Sequence, residues 1–486
     1  MANKNVLPVS TTHIPPVVSV LGHVDHGKTT LLDTIRKTSI ADREQGGITQ
    51  KIGASSVEIM HDGKKRLITL IDTPGHQAFE NMRGRGAKVA DIGLLIVSSV
   101  DGLMPQTKES IDLLKNAGIP YIVVLTKADL PTKMPDKVKG ELMKEGIMLE
   151  GLGGDVPVIE VSAKTNLNIK ELLELILLVF DTREAPKEKI SPEMPFHGVV
   201  IESKMDQKAG PRATVIVKNG TIRVKEDLHV DGQTFRVRTL INSEGVQVQE
   251  APVGYGVEIL GFTTTPAVGS IILDKNADLG IVEGKAPVDM QNYTPNAPKS
   301  QLSVILCTDT LGSLEAITVS LPKDVYIIDR KTGDISEADI LLAKSTKAIV
   351  LGFNVKTRPD VQRLAVAEKV FVRNYTIIYE LIDEVQDVVD GRNLALIEQV
   401  LGTAKIQAIF PYEKTQAAGI KVIEGRIARG DRIRIMREEE IIGETTINSL
   451  RIGKNTASKV EKGAEAGLLF VAALDFSVGD MIISHT

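Results

Sequence analysis

The sequence predicts a multidomain chain of α/β and β parts: a doubly wound parallel sheet with a phosphate-binding loop, a β-barrel, a small α/β domain, a long helix and a second β-barrel. Three observations carry this. The β-branched run Pro16-Val17-Val18-Ser19-Val20-Leu21 leads directly into Gly22-His23-Val24-Asp25-His26-Gly27-Lys28-Thr29 and then into a helical pattern reaching Arg36. Strand and helix patterns alternate up to about residue 185 and again from 301 to 375. Between and after these stretches come short β-branched runs punctuated by glycine.

Length and composition set the limits of the reading. A chain of 486 residues has room for about three or four folding units. Hydrophobic residues at 42% and charged residues at 25% suit globular material with real cores. The first residues, Met1 to Pro8, lack the apolar core of a secretory signal, and runs such as Ile92 to Val100 are far too short to span a bilayer, so a cytoplasmic protein without a membrane partner is expected. One cysteine, Cys307, excludes a disulfide framework within the chain. A net charge of −5 gives no general attraction for nucleic acid, so any RNA contact must come from local patches or shape.

In the first domain, residues 1–185, the order strand, G-x-x-x-x-G-K-T, helix aims successive backbone N–H groups and a helix N-terminus at one point. Lys28 would reach the β- and γ-phosphates there, and Thr29, with Thr30 beside it at the helix start, would ligate a bridging Mg²⁺. The polar stretch Thr38 to Gln50 carries the pair Gly46-Gly47 before Thr49, whose hydroxyl would complete the metal shell. Two strands, Ala54 to Met60 and Arg66 to Ile71, are joined at Asp62-Gly63, a hairpin turn signal. The second delivers Asp72-Thr73-Pro74-Gly75-His76, placing the Asp72 carboxylate near the metal and the Gly75 N–H near a terminal phosphate. After Ile92 to Ser98, the helix Pro105 to Ala117 and the strand Pro120 to Leu125 comes Thr126-Lys127-Ala128-Asp129. The Asp129 carboxylate would accept from guanine N1–H and the exocyclic amine, selecting GTP over ATP. The strand Pro157 to Val161 then leads into Ser162-Ala163-Lys164, which would back the base, and the helix Ile169 to Phe180.

The loop and the Asp-Thr-Pro-Gly-His segment resemble those of the translational GTPases, which implies a P-loop GTPase domain binding GTP or GDP. Within that superfamily the chain is most similar to the bacterial translation initiation factor 2 family, through Gly46 to Ala54, Met82-Arg83-Gly84-Arg85-Gly86-Ala87 and Asp101-Gly102-Leu103-Met104-Pro105-Gln106-Thr107. The resemblance implies that His76 orients the attacking water, that Thr49 closes over Mg²⁺ and that Asp25 holds a monovalent cation beside the phosphates. One position departs: the family usually has Asn where Thr126 stands, so nucleotide affinity is expected to drop while guanine choice survives.

A linker around Pro186 and Pro192 leads to the first barrel, residues 186–290, with runs such as Ala213 to Gly220 and Val257 to Phe262. The pattern Gly220-Thr-Ile222, Asp227-Leu-His-Val and Val268-Gly269 returns as Gly425-Arg-Ile427, Asp431-Arg-Ile-Arg and Val478-Gly479, which suggests one barrel module used twice. The α/β domain at 301–375 has no phosphate loop and no catalytic cluster. Helical periodicity from Tyr375 sets a connecting helix over 376–402, either a continuous rod or a hairpin turned at Asp390 to Asn393. In the last barrel, 403–486, the family receives the formylmethionyl end of initiator tRNA. Gly425, Gly463, Glu465 and Gly467 are the corresponding tRNA-binding candidates, with Ala466 where cysteine is usual and Gly453 where phenylalanine is usual. This barrel holds 12 Lys and Arg against 11 Asp and Glu, so charge makes no separate case for tRNA.

These readings converge on a monomeric initiation-factor GTPase whose GTP form brings initiator tRNA to the small ribosomal subunit, promotes subunit joining and leaves after hydrolysis. A tRNA-delivering elongation factor, a ribosome-binding scaffold gated by nucleotide and a metabolic enzyme reusing the GTPase module are the alternatives. The elongation factor would place two barrels directly after the first domain. The metabolic enzyme would need a small-molecule site, and no residue cluster forms one.

Overall fold

The structure is a computed structural model that describes residues 14–38, 49–50, 52–182, 191–275, 302–390, 400–412, 415–437, 440–453, 455–472 and 474–485. The first unit is built on β1 (Val17–Gly22), β2 (Gly53–His61), β3 (Lys64–Asp72), β4 (Ile92–Ser98), β5 (Tyr121–Thr126) and β6 (Val158–Glu160), in the order β2-β3-β1-β4-β5-β6. All pairs are parallel except the β2–β3 hairpin. Its two turn residues, Asp62 and Gly63, both have positive φ, as a two-residue hairpin turn demands.

Strands β1 and β4 are buried along their whole length, which explains their unbroken apolar sequence: helices cover both faces. On one side lie α1 (Lys28–Arg36) and a helix at Ile169–Asp181, and on the other lie helices at Glu80–Val89, Pro105–Ala117 and Pro135–Lys144. In chain order these are α2 (Glu80–Val89), α3 (Pro105–Ala117), α4 (Pro135–Lys144) and α5 (Ile169–Asp181). Strand β1 has β3 and β4 as its neighbours, so the chain leaves it at a topological switch point, where open α/β sheets bind ligands.

The second unit is antiparallel: β7 (His197–Asp206), β8 (Gly210–Asn219), β9 (Thr221–Arg223), β10 (Asp227–Val230), β11 (Gln233–Arg236), β12 (Thr239–Ile241), β13 (Gln247–Val248), β14 (Glu250–Pro252), β15 (Gly256–Leu260) and β16 (Ile271–Asp274). The sheet order is β11-β10-β16-β7-β8-β15-β12-β13. Strands β11 and β12 are halves of one run joined by Val237 and Arg238, whose N–H groups donate to Glu226 O and Leu260 O. That run sits at both ends of the sheet and closes it into a barrel around one apolar core.

The third unit alternates β17 (Leu302–Thr308), α6 (Leu311–Ser320), β18 (Val325–Thr332), α7 (Glu337–Thr346), β19 (Ile349–Phe353), α8 (Pro359–Glu368), β20 (Val372–Tyr375) and α9 (Ile378–Val389). Its parallel sheet runs β18-β17-β19-β20. The expectation of a connecting helix over 376–402 is corrected by α9. That helix ends at Val389, residues 391–399 lie outside the described residues, and 400–402 are already strand. Its apolar stripe, Ile378, Leu381 and Val385, is buried in the core of the third unit instead of lining a free rod.

The last unit comprises β21 (Val400–Tyr412), β22 (Thr415–Ala428), β23 (Arg432–Arg437), β24 (Glu440–Ile452), β25 (Asn455–Thr456), β26 (Lys459–Glu461), β27 (Glu465–Phe470) and β28 (Met481–His485). The order β21-β28-β23-β24-β27-β22, with β21 also paired to β22, is a closed six-strand ring. Taking β11 and β12 as one strand, the first barrel has the same ring order. The side pairs match as well, β14 on β9 like β26 on β22, and β13 on β12 like β25 on β24. Gly220 and Gly425 show why the glycine pattern recurs. Both have φ near +70°, and a Cβ on either would meet a backbone carbonyl, Met194 O just ahead of β7 at 2.5 Å or Leu401 O of β21 at 2.4 Å. Among the described residues no helix is long and apolar enough to cross a membrane.

The first three units share buried contacts. Ile52 and Ala54 pack with Val199, Ile201 and Ile216 of the first barrel. Phe79 and Met82 enter the core of the third unit, and Arg85 pairs with Glu315 at 2.6 Å.

Candidate nucleotide-binding site

The loop between β1 and α1 takes its form from its glycines. Gly22 has φ +148°, and a Cβ there would lie 2.4 Å from Ile96 O, so no other residue lets the loop leave β1 along this path. Gly27, at φ +81°, is the N-cap of α1. Lys28 is buried beneath the loop and donates to Gly22 O at 2.8 Å and His23 O at 2.6 Å. Burial lowers its ammonium to about 8, with Asp72 acting in the opposite direction. The Val24 N–H donates to Gln106 Oε1 at 3.0 Å, tying the loop to α3.

His26 is buried and accepts from Ser98 N–H at 3.3 Å. Burial pushes its imidazole down to about 4, with the neighbouring His23 adding to the shift. The His26 carbonyl accepts the Thr126 hydroxyl at 2.7 Å. The departure at Thr126 is therefore accommodated: the hydroxyl that Thr retains spans from β5 to the phosphate loop. Asp25 is exposed, with a positive φ.

Thr29 and Thr49 meet hydroxyl to hydroxyl at 2.7 Å. Two oxygens at that separation suit neighbouring ligands of an octahedral Mg²⁺, whose metal–oxygen distance is about 2.1 Å. Asp72, at the end of β3, is buried 3.7 Å from the Arg36 guanidinium. Among the described residues no group of three or more His, Cys, Asp or Glu side chains is arranged to hold a metal. Most of the polar stretch Thr38 to Gln50, residues 39–48, lies outside the described residues.

Gly75 passes so close to the loop that a Cβ would stand 2.6 Å from Lys28 Nζ and 3.1 Å from Val24 N. His76 then caps a 3₁₀ turn, its Nδ1 accepting the Ala78 N–H at 2.9 Å. Burial, and then the charge of Arg83, bring its imidazole down to about 4. Arg83, fully buried in α2, donates to Pro74 O at 3.0 Å, to His76 O and to Glu109, and so holds this turn from behind. Sequence reasoning quoted Arg83 only within a motif. The helix α2 is polar in composition and also carries Arg85 and Lys88, so no signal in the sequence singles out Arg83.

At the far end, Lys127 adopts positive φ and bonds Asp101 at 2.8 Å. The buried Ser162 hydroxyl donates to Asp129 Oδ1 at 2.8 Å. The Thr34 hydroxyl reaches both Thr30 O at 2.9 Å and Ala163 O at 3.3 Å, which brings Ser162-Ala163-Lys164 against the last turn of α1. The residues that follow β1, β3, β5 and β6 thus lie along one edge of the sheet, at the carboxyl ends of its strands.

A separate cleft of about 440 Å³ opens on the last barrel and is lined by Phe410, Gly419, Arg451, Gly453, Glu465 and Gly467 among others. Of the four tRNA candidates it includes Glu465 and Gly467. Gly425 and Gly463 lie outside it, both at positive φ, Gly425 within β22 opposite Gly402 of β21 and Gly463 in the turn before β27.

Three stretches match known families: residues 15–182 the Elongation factor Tu GTP binding domain, 195–275 Elongation factor G domain 2, and 283–386 Translation-initiation factor 2. Proteins named Translation initiation factor IF-2 are similar along nearly the whole chain. The one from Halothermothrix orenii is 39% identical, over 97% of this chain and 72% of its own length. Those from Aquifex aeolicus and Carboxydothermus hydrogenoformans are 43% and 41% identical, and the chain spans 60% of the length of each. With a phosphate loop at the switch point, two matching barrels and this likeness from end to end, the chain belongs to the translation initiation factor IF-2 family.

Proposed function

We propose that this chain is a GTPase switch of translation initiation: with GTP bound it places initiator tRNA on the small ribosomal subunit and promotes joining of the large one, and hydrolysis releases it. The observation that carries the reading is the convergence of the phosphate loop, the touching Thr29 and Thr49 hydroxyls and the Ser162-braced Asp129 on one sheet edge. Asp129 selects guanine, the loop N–H groups and Lys28 bind the phosphates, and Thr29, Thr49 and Asp72 hold Mg²⁺. That ion, when bound, neutralises charge developing on the β- and γ-phosphate oxygens. A monovalent cation beside Asp25 belongs to the same reading, and faster hydrolysis in potassium than in sodium would support it.

His76 supplies orientation. Its ring is neutral at pH 7, and because Nδ1 accepts from Ala78 N–H, the proton resides on Nε2. An Nε2–H directs a water by donating to it and does not strip its proton. The cleft on the last barrel is the proposed seat for the aminoacyl end of initiator tRNA. Ribosome-stimulated GTP hydrolysis in a His76→Ala variant tests the reading: turnover should fall by about 100-fold or more. Wild-type turnover would remove His76 from the mechanism.

A further inference from the structure

One side chain beside His76 comes from outside the first unit altogether. Tyr379, in the first turn of α9, has its ring centroid 4.0 Å from that of the His76 imidazole, at an interplanar angle of 83°. The two rings meet edge to face in close contact. Of the other contacts of His76, the Ala78 N–H holds one edge of the ring at Nδ1, Arg83 holds the backbone carbonyl, and the Phe79 ring is 6.1 Å away.

The first turn of α9 is itself anchored to the site. The Gln50 side chain donates to Thr376 O at 2.8 Å and accepts Ile378 N–H at 3.0 Å, and Gln50 is the residue after Thr49, which meets Thr29. Ile378 and Leu381 are fully buried in the core of the third unit, whereas Tyr379 is 41% exposed. Its ring is not needed to seat the helix. What it does touch is the imidazole, and its phenol lies near enough to Asp25 of the phosphate loop to feel that carboxylate.

We propose that Tyr379 is a positioning residue for His76, its ring fixing the plane of the imidazole so that an element of the third unit sets the direction of Nε2–H. Hydrolysis then depends on α9 being seated against Thr49-Gln50. The proposal rests on the hydrolytic role proposed for His76.

The test uses the full chain with Tyr379→Ala, Tyr379→Phe, His76→Ala and the His76→Ala/Tyr379→Ala double variant. Two quantities are read: ribosome-stimulated GTP hydrolysis, and the titration of the His76 ring by NMR in the absence of ribosomes. Tyr379→Ala should lower kcat by about tenfold, the order of an aromatic pair's contribution, with KM for GTP unchanged. Tyr379→Phe should keep wild-type kcat, because the ring makes the contact. The double variant should be no slower than His76→Ala. The His76 midpoint, held at about 4 mainly by burial, should rise in Tyr379→Ala as water reaches the ring. Unchanged kcat with an unchanged midpoint would overturn the proposal, as would an equal loss in Tyr379→Phe or a further loss in the double variant. If His76→Ala hydrolyses normally, the hydrolytic reading falls and the positioning role with it; the midpoint then shows separately whether Tyr379 covers the imidazole.

Discussion

Asp129 presents its carboxylate to solvent at the far end of the site, braced by the buried Ser162 hydroxyl, and this hydrogen bond is the first reason its carboxyl lies below the ordinary range. Two acceptor oxygens match the two donors on the guanine edge. Asp129→Asn turns one acceptor into a donor and leaves two N–H groups facing each other. Affinity for a fluorescent GDP analogue should fall by about tenfold or more. Undiminished binding would mean the base is read elsewhere. The position of Asp129 after a buried strand is legible from residues alone. That Ser162, 33 residues on, steadies it is a matter of two strands lying side by side, β5 against β6.

At the scale of elements, the junction of β7 with α6 contains a carboxyl group in an unusual setting. Glu202 is buried and accepts Gly312 N–H at 3.2 Å and Ser203 N–H at 2.9 Å. Burial raises its pKa to about 7, and the neighbouring Asp309 also raises it. The folded chain therefore binds this proton more readily than the unfolded chain. The resulting stability is complete below the unfolded value of about 4.3 and is lost as pH rises through 7. His26 and His76, lowered to about 4, act the opposite way, stabilising the fold more as pH rises towards 6.5. Only a difference between variants isolates Glu202. Glu202→Gln keeps the accepting oxygen, so its Tm relative to wild type should rise between about pH 5 and 8. A constant Tm difference across that range would mean the carboxyl stays ionised.

Over the whole molecule, one barrel plan serves two ends. In the first barrel the strands β8 and β15 face the first unit, and a Cβ on Gly256 would lie 2.6 Å from the Ala54 side chain. In the second, the corresponding strands β22 and β27 border the open cleft. The last barrel has its own core, drawn from residues between Ala404 and Ile482. Gly467→Trp projects a large ring into the cleft it lines, because nothing lies within 4 Å of a Cβ at Gly467. It should weaken initiator tRNA binding by about tenfold in a filter assay while leaving GTP hydrolysis intact. Full tRNA affinity would take the cleft out of the proposed function.

The residues alone determined what depends on neighbours along the chain. The strand-loop-helix order at Gly22 to Thr29 and the Asp62-Gly63 turn follow from neighbours along the chain, and the recurring barrel glycines are legible as a pattern although distant carbonyls such as Leu401 O are what demand them. Only the tertiary structure decided that α9 would bury its apolar stripe in the third unit and stop at Val389, that Arg83 would hold the His76 turn, and that Tyr379 and Gln50, more than 300 positions apart, would meet at one site. Periodicity marks which face of an element is apolar, but many apolar faces are equivalent as partners. The choice among them is made by how all the faces pack together.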